Sequence, residues 1–361
     1  MKARPGMHSY KNKNYERPLE WALGNLDEAF FSFSSYLVEK SGKPPYLSDK
    51  DELDRLNEKL GPVEKLEELF PGPPYPNLKM TPRQPHTLLL QSGPQLRHYR
   101  VYNVEYPSAV ATGFTRNDRV YGFYLERPGQ ETAPVVVYLH GWMEFEAGFS
   151  LRLPLTWAGP LGYNILALHL PFHFERTPPG KLSGELAITG NLPLAVKAMG
   201  QAVSDVRQAI NWLRTQQPER PIGLIGKSLG GLVGAMVLAS EPNLDAGVLA
   251  VPATGAKSSI WQSTYTSLIR RDLDRQGLDE AATSRLLEVI RPGRYQPAIE
   301  ARRILVLKAN ADRVCFPDDT DNFAREWGTP LVALPTGHLT ATFHPRARQV
   351  AQAHLEQFLH D

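Results

Sequence analysis

Ser228 lies in the run Pro221-Ile222-Gly223-Leu224-Ile225-Gly226-Lys227-Ser228-Leu229-Gly230-Gly231. The pattern Gly-x-Ser-x-Gly is weak by itself in a chain with 28 glycines. Its context carries the information: a short apolar run enters it, and a run rich in small residues (Gly231, Gly234, Ala235, Ala239) leaves it. A serine between a strand and a helix in so tight a turn has a strained backbone, and small neighbours at Gly226 and Gly230 let the turn close. The hydroxyl then stands above a sheet edge, at the positive end of a helix dipole. That is a nucleophile's position; the plain alternative is a glycine turn with a bystander serine.

A serine hydroxyl attacks poorly until a base takes its proton, and the base needs a carboxylate to fix its tautomer. On this strand–turn–helix scaffold the chain order is serine, acid, histidine, each just past a strand. Lys308-Ala309-Asn310-Ala311-Asp312-Arg313-Val314 follows the apolar run Ile304–Leu307 and offers Asp312 as the acid. Pro335-Thr336-Gly337-His338 follows Leu331–Leu334 and offers His338 as the base. Asp318, Asp319 and Asp321 rival Asp312 but read as the start of a helix after Pro317, and His344 rivals His338 but precedes Pro345. An oxyanion needs two N–H donors, one after the nucleophile and one in the loop of an earlier strand. Leu229 supplies the first. The step His140-Gly141-Trp142 after Val135–Leu139 supplies the second, read here as Trp142 with Gly141 as the near alternative.

Further polar residues follow Asn164–Leu168 in the stretch His169-Leu170-Pro171-Phe172-His173-Phe174-Glu175-Arg176-Thr177-Pro178. His173 and Arg176 would either bind an anionic part of a substrate or brace the loop. Pro171 precludes a helical His-x-x-x-His pair, and no paired carboxylates accompany His140, His169 and His173, so neither metal nor cofactor is expected.

These residues need a scaffold that brings distant loops to one edge. Arg119–Glu126 and His98–Tyr106 alternate apolar and polar residues as a strand pair does. Val135–Leu139, Asn164–Leu168, Ile222–Ile225, Gly247–Val251, Ile304–Leu307 and Leu331–Leu334 are short apolar runs of the kind buried on both faces. Between them come helical patterns, clearest where Val196, Met199, Val203, Val206, Ile210 and Leu213 form one stripe. Alternation of this kind builds a mostly parallel sheet covered by helices on both faces. Thr254 to Pro297 is too long for a single crossover. With helical stretches at Leu268–Gly277 and Asp279–Val289, it reads as an insertion above the sheet edge. As a lid, it would press Ile260, Trp261, Leu268 and Ile269 onto the pocket around Ser228, with Trp261 lining it; as decoration, it would bury them elsewhere. Residues 1–95 differ, being rich in Pro, Lys and Glu, with two helical patterns (Leu23–Glu39 and Asp51–Phe70, interrupted at Leu60-Gly61-Pro62). They are expected to form a helical extension without catalytic residues, leaving 96–361 as the main domain.

Composition excludes several classes. Lys plus Arg number 40 against 38 for Asp plus Glu, a net charge of +2 with no basic stretch, which is unlike a nucleic-acid binder. One cysteine, Cys315, permits no internal disulfide. No apolar run approaches a membrane span, and the polar N-terminal residues hold no apolar signal core, so a cytoplasmic enzyme is expected. The sequence says nothing of oligomeric state.

Leu-His-Gly-Trp, Gly-Lys-Ser-Leu-Gly-Gly, Ala-Asn-Ala-Asp-Arg-Val and Pro-Thr-Gly-His, in that order, resemble the α/β-hydrolase superfamily from about Leu96 onward. The Pro-aromatic-His-x-x-Arg-x-Pro stretch is similar to a poorly characterised branch of it. The resemblance implies an α/β-hydrolase fold and a serine hydrolase acting on a small ester or related acyl substrate through an acyl-serine, with Ser228, Asp312 and His338 as the triad. Thioester or peptide cleavage on the same residues, or a non-catalytic binding protein, are the rival expectations. Ser228 argues against dehalogenases and epoxide hydrolases, which carry an aspartate nucleophile.

Overall fold

Three strands whose every residue is buried, β4 (Val135–Leu139), β5 (Asn164–Leu168) and β7 (Ala246–Ala250), can exist only between two covering layers. In the computed structural model, which describes residues 20, 22–27, 45–60, 66, 70 and 77–360, they are joined by β1 (Lys79–Arg83), β2 (Arg100–Pro107), β3 (Arg119–Glu126), β6 (Ile222–Lys227), β8 (Ile304–Ala309) and β9 (Leu331–Leu334). The nine strands form one sheet in the order β1-β2-β3-β5-β4-β6-β7-β8-β9. β1, β2, β3 and β5 pair antiparallel, and the remaining pairings are parallel.

Side-chain alternation divides the core. Val135, Val137 and Leu139 face the layer that holds helices Leu192–Gln216 and Leu229–Leu238, while Val136 and Tyr138 face helix Pro345–Leu359. The predicted stripe from Val196 to Leu213 is buried along its whole length. Its helix opens on Asn191, whose side chain accepts the N–H of Leu194, with proline in the first turn.

Register decides where the site lies. Leu139 of β4 pairs with Gly226 of β6 on one side and Leu168 of β5 on the other. Ala250 of β7 pairs with Lys227 and Leu307, and Ala309 of β8 with Leu334. The loops leaving these parallel strands therefore open side by side at their carboxyl ends, where sites of open α/β sheets lie.

The boundary expected at residue 95 needs correction. Lys79–Arg83 pairs antiparallel with β2, from Lys79 opposite Glu105 to Arg83 opposite Val101. Its polar sequence and Pro82 concealed it, and both are tolerated only because it is an edge strand. Leu88 of the following helix, His86–Ser92, is also buried in the main core. Nearer the N-terminus, residues 22–27 and Lys50–Leu60 are helical. Leu66 and Phe70 belong to the core, where the Phe70 ring occupies the space that a Cβ on Gly200 would need. The rest of the pattern expected over Leu23–Glu39, together with Val63, Leu69 and the proline connector at 71–76, lies outside the described residues. The insertion contains helices Ser267–Arg275 and Glu280–Leu287, close to the two stretches expected, and a further helix, Ala256–Trp261, that was not expected. Among the described residues no helix is long and apolar enough to cross a membrane.

Candidate active site

Ser228 has φ 55° and ψ −115°, a conformation that β-carbon-bearing residues avoid. Backbone pairing imposes it: the Ser228 N–H donates to Ala250 O at 2.9 Å, and the Ser228 carbonyl accepts from Leu232 (3.0 Å) and Ala253 (3.1 Å). The flanking glycines are needed for closeness. A Cβ on Gly230 would lie 2.2 Å from Leu139 O and 2.5 Å from His140 O, and one on Gly226 would lie 2.3 Å from Gly230 O. Any larger residue would open the turn that presents the hydroxyl.

The loops after β8 and β9 complete the constellation. His338 Nε2 is 3.0 Å from Ser228 Oγ, and its Nδ1 is 2.7 Å from Asp312 Oδ2. A carboxylate only accepts, so Nδ1 carries the proton and the serine O–H donates to Nε2. The other Asp312 oxygen accepts the N–H groups of Val314 and Cys315, each at 2.8 Å. Burial pushes the His338 pKa down, but the adjacent Asp312 carboxylate and the Cys315 sulfur together outweigh burial and raise it well above 6.5. Asp318, Asp319 and Asp321 lie in helix Pro317–Trp327, as expected of them. Asp321 binds Lys308 Nζ at 2.6 Å.

The oxyanion side is equally ordered. The Gly141 N–H donates to Glu144 Oε1 at 2.9 Å, and Lys227 Nζ lies 3.1 Å from the same oxygen. Burial would raise the Glu144 pKa, but Lys227, His140 and the Gly141 N–H together hold it down at about 2. Gly141 is thereby committed, whereas the Trp142 N–H meets no backbone acceptor among the described residues. The Leu229 N–H, at the first position of its helix, lies ahead of the intrahelical ladder. His140 is a brace rather than a base. Its Nε2 accepts the Leu170 N–H at 3.0 Å, so the proton sits on Nδ1 and is donated to Gly141 O at 2.7 Å. Burial lowers its pKa to about 4 and keeps it neutral.

A cavity of about 680 Å³ opens on Ser228 and His338. Its walls are largely apolar, including Trp142, Phe149, Leu153, Tyr265, Leu268 and Ile269. The insertion thus contributes to the cavity, and Tyr265 packs edge-on against Trp142 with ring centroids 4.9 Å apart. Trp261, expected in this lining, is not part of it; it packs against the main core with its indole nitrogen buried. One turn of chain separates Trp261 from Tyr265, and the side chain that reaches the cavity is the tyrosine.

The two other expected binding residues are also corrected. His173 is fully buried, with Nδ1 2.8 Å from Pro171 O, and its ring packs against His140 at 4.7 Å. Arg176 is fully buried and pairs with Asp205 at 2.8 Å. Its remaining N–H groups donate to His169 O (3.0 Å) and Asn117 O (2.7 and 3.0 Å). Neither lines the cavity, so both brace the loop after β5. The nitrogens of His140, His169 and His173 form no converging ligand group among the described residues: those of His140 bond Leu170 and Gly141, His173 Nδ1 bonds Pro171 O, His169 Nδ1 lies 2.8 Å from Glu175 without hydrogen-bond geometry, and the other two are buried without a hydrogen-bond partner. Among the described residues, the group whose ligand atoms come within 4.8 Å of one another is Asp312, Cys315 and His338. Two of these already share a proton, and burial raises the Cys315 thiol so that it stands beside them neutral.

Three contributors escaped sequence reasoning. Glu144 had a signal, an acid three residues past Gly141 with a lysine next to the nucleophile. Asp205 had none, lying beside rather than on the apolar stripe of its helix. Asp27, in the segment expected to carry no catalytic residues, is fully buried and accepts the backbone N–H groups of His338 and, at 3.1 Å, Leu339.

Comparison with known proteins bears on the fold that carries these residues. Residues 188–276 match the family model described as serine aminopeptidase, S33. That stretch includes Ser228 and part of the insertion and ends before Asp312 and His338. Uncharacterized proteins from two strains of Mycobacterium tuberculosis (CDC 1551 / Oshkosh and H37Rv) are each 30% identical over 249 residues, 68% of this chain. The chain spans 58% of the length of these curated relatives. Among solved structures, an acetyl xylan esterase from Paenibacillus sp. R4 superposes with a TM-score of 0.57 at 18% identity, covering 86% of this chain and 96% of its own. Acetyl xylan esterase 1 from Thermoanaerobacterium sp. JW/SL YS485 gives 0.54 at 16% identity, with 88% and 94% covered. The acylaminoacyl peptidase of Pyrococcus horikoshii gives 0.53 at 17%, with 73% and 42% covered. At these identities the likeness is one of fold.

Proposed function

We propose that this chain, which belongs by its fold to the α/β-hydrolase superfamily, is a serine hydrolase that cleaves carboxylic esters through an acyl-serine intermediate. The observation that carries the reading is the unbroken relay from Asp312 Oδ2 through His338 to Ser228 Oγ, at 2.7 and 3.0 Å, at the mouth of an apolar cavity. In this reading His338 takes the hydroxyl proton as Ser228 attacks the acyl carbon. Asp312 stabilises the imidazolium that forms, and the N–H groups of Leu229 and Trp142 receive the developing oxyanion. His338 then returns the proton to the leaving alcohol, and a water repeats the sequence to release the acid. The insertion acts as a lid, with Tyr265, Leu268 and Ile269 forming one wall of the acyl pocket.

Peptide cleavage is the second reading, favoured by the match to an aminopeptidase family model. An aminopeptidase must hold a free α-ammonium, which calls for an uncommitted carboxylate. The cavity carboxylates are engaged: Glu144 by Lys227, Asp272 by Arg271 and the Tyr46 N–H, Glu185 by the Tyr46 hydroxyl and Glu146 by Gln91. That arrangement supports a neutral acyl group instead. The test is turnover of p-nitrophenyl esters beside aminoacyl-anilides, with fluorophosphonate labelling. Wild type should hydrolyse the esters and label at Ser228, and Ser228→Ala should lose about 10⁴-fold or more in turnover with its thermal midpoint nearly unchanged. Ester turnover by Ser228→Ala within tenfold of wild type refutes the assignment, and anilide turnover exceeding ester turnover favours the peptidase.

A further inference from the structure

We infer that Asp27 is a positioning residue of the triad, so that the segment before the sheet is part of the active site. The inference rests on the reading of Ser228, His338 and Asp312 as a working triad. The loop carrying His338 needs support, because it follows β9, an edge strand of only four residues whose Leu331 and Ala333 are exposed. Asp312 fixes the tilt of the imidazole, not the peptide from which the ring hangs. The peptide is held by Asp27: one carboxylate oxygen accepts the N–H of His338 and the other the N–H of Leu339 at 3.1 Å. Two consecutive N–H groups on one carboxylate fix the direction of that backbone, and with it the point from which the ring reaches Ser228.

The fit is close on both sides. A Cβ on Gly337 would collide with the Asp27 carboxylate and lie 2.8 Å from Leu23 O. A Cβ on Gly24 would lie 2.8 Å from Ala311 O, in the loop of the triad acid. The short helix at 22–27 therefore touches the acid loop through Gly24 and the base loop through Asp27. Burial raises the pKa of Asp27, against the N–H groups of Leu339 and His338, which lower it. The partners are 311 and 312 residues away in sequence, which is why no local pattern announced them.

Near-attack geometry is sensitive to displacements of about 1 Å, which cost on the order of 10²-fold in rate. In the full chain, Asp27→Ala should lower kcat by about that factor. Asp27→Asn, which keeps the shape and one acceptor, should lose less. The rate of Ser228 labelling by a fluorophosphonate should fall in parallel, while KM stays within about twofold because Asp27 lies outside the cavity lining. A residue that merely held the fold would reduce the amount of active protein and leave the labelling rate of the folded fraction unchanged. That result, or kcat within threefold of wild type in both variants, overturns the inference. If Asp27→Ala does not fold, Asp27→Asn decides. Failure of wild type to label at Ser228 would instead remove the proposed function itself.

Discussion

Replacing Arg176 with methionine separates bracing from substrate binding, the two roles that its sequence context left open. Methionine keeps the length of the stem but removes every N–H donor. Asp205 would keep only the Ser108 hydroxyl (2.5 Å) as a side-chain donor, and the carbonyls of Asn117 and His169 would each lose the guanidinium. Removing one partner of a buried ion pair costs about 3–5 kcal/mol, because the other charge stays buried and uncompensated. A chain of 361 residues has an unfolding entropy of about 0.76 kcal/mol/K at typical per-residue values, so the midpoint should fall by about 4–7 °C. The assay is thermal unfolding followed by far-ultraviolet circular dichroism, beside ester kinetics on the same preparation. KM should stay within about twofold, since Arg176 is fully buried and absent from the cavity wall. Adding Asp205→Asn removes the stranded charge and should recover part of the loss. An unchanged midpoint with a tenfold rise in KM would refute the reasoning and return Arg176 to substrate binding.

Two further outcomes follow from the site. His338 must be neutral to accept the hydroxyl proton, and Asp312 and Cys315 together outweigh burial to raise its pKa. Activity should therefore be lost as pH falls through a value above 6.5; an acid limb of kcat/KM at or below 6.5 would contradict this. Leu268→Trp, on the cavity wall, should shift preference toward shorter acyl esters by about tenfold, whereas Trp261→Ala should change all chain lengths alike. A chain-length shift confined to the Trp261 variant would reverse the two assignments.

The parallel strands were legible because each is a short apolar run that nothing but a two-sided burial explains, and Val135–Leu139 and Asn164–Leu168 run between the residues expected. Ser228, Asp312 and His338 were legible for a related reason: each follows such a run, so its place at the sheet edge is set by the strand before it. Lys79–Arg83 was hidden because an edge strand needs no apolar alternation. His173 and Arg176 show a different limit. Polar residues in a loop look alike whether they face a substrate or a buried partner, and the partner of Arg176 sits on a helix 29 residues further on. Trp261 and Tyr265 differ by four positions in an irregular insertion, where periodicity cannot say which ring turns inward. Asp27 is the extreme case, a single carboxylate whose meaning depends on a loop from the far end of the chain.

The bond between residue 27 and residue 338 also orders events in time. A ribosome delivers the carboxylate 311 residues before its partner N–H. When the serine turn has emerged, the strand that carries the histidine is still unmade, and the sheet lacks an edge. A native contact that spans 311 residues cannot form until both of its ends have been made. A product stalled before residue 312 would carry Ser228 without Asp312 or His338. The proposed triad would assemble only after residue 338 has been made and its loop can close on residue 27.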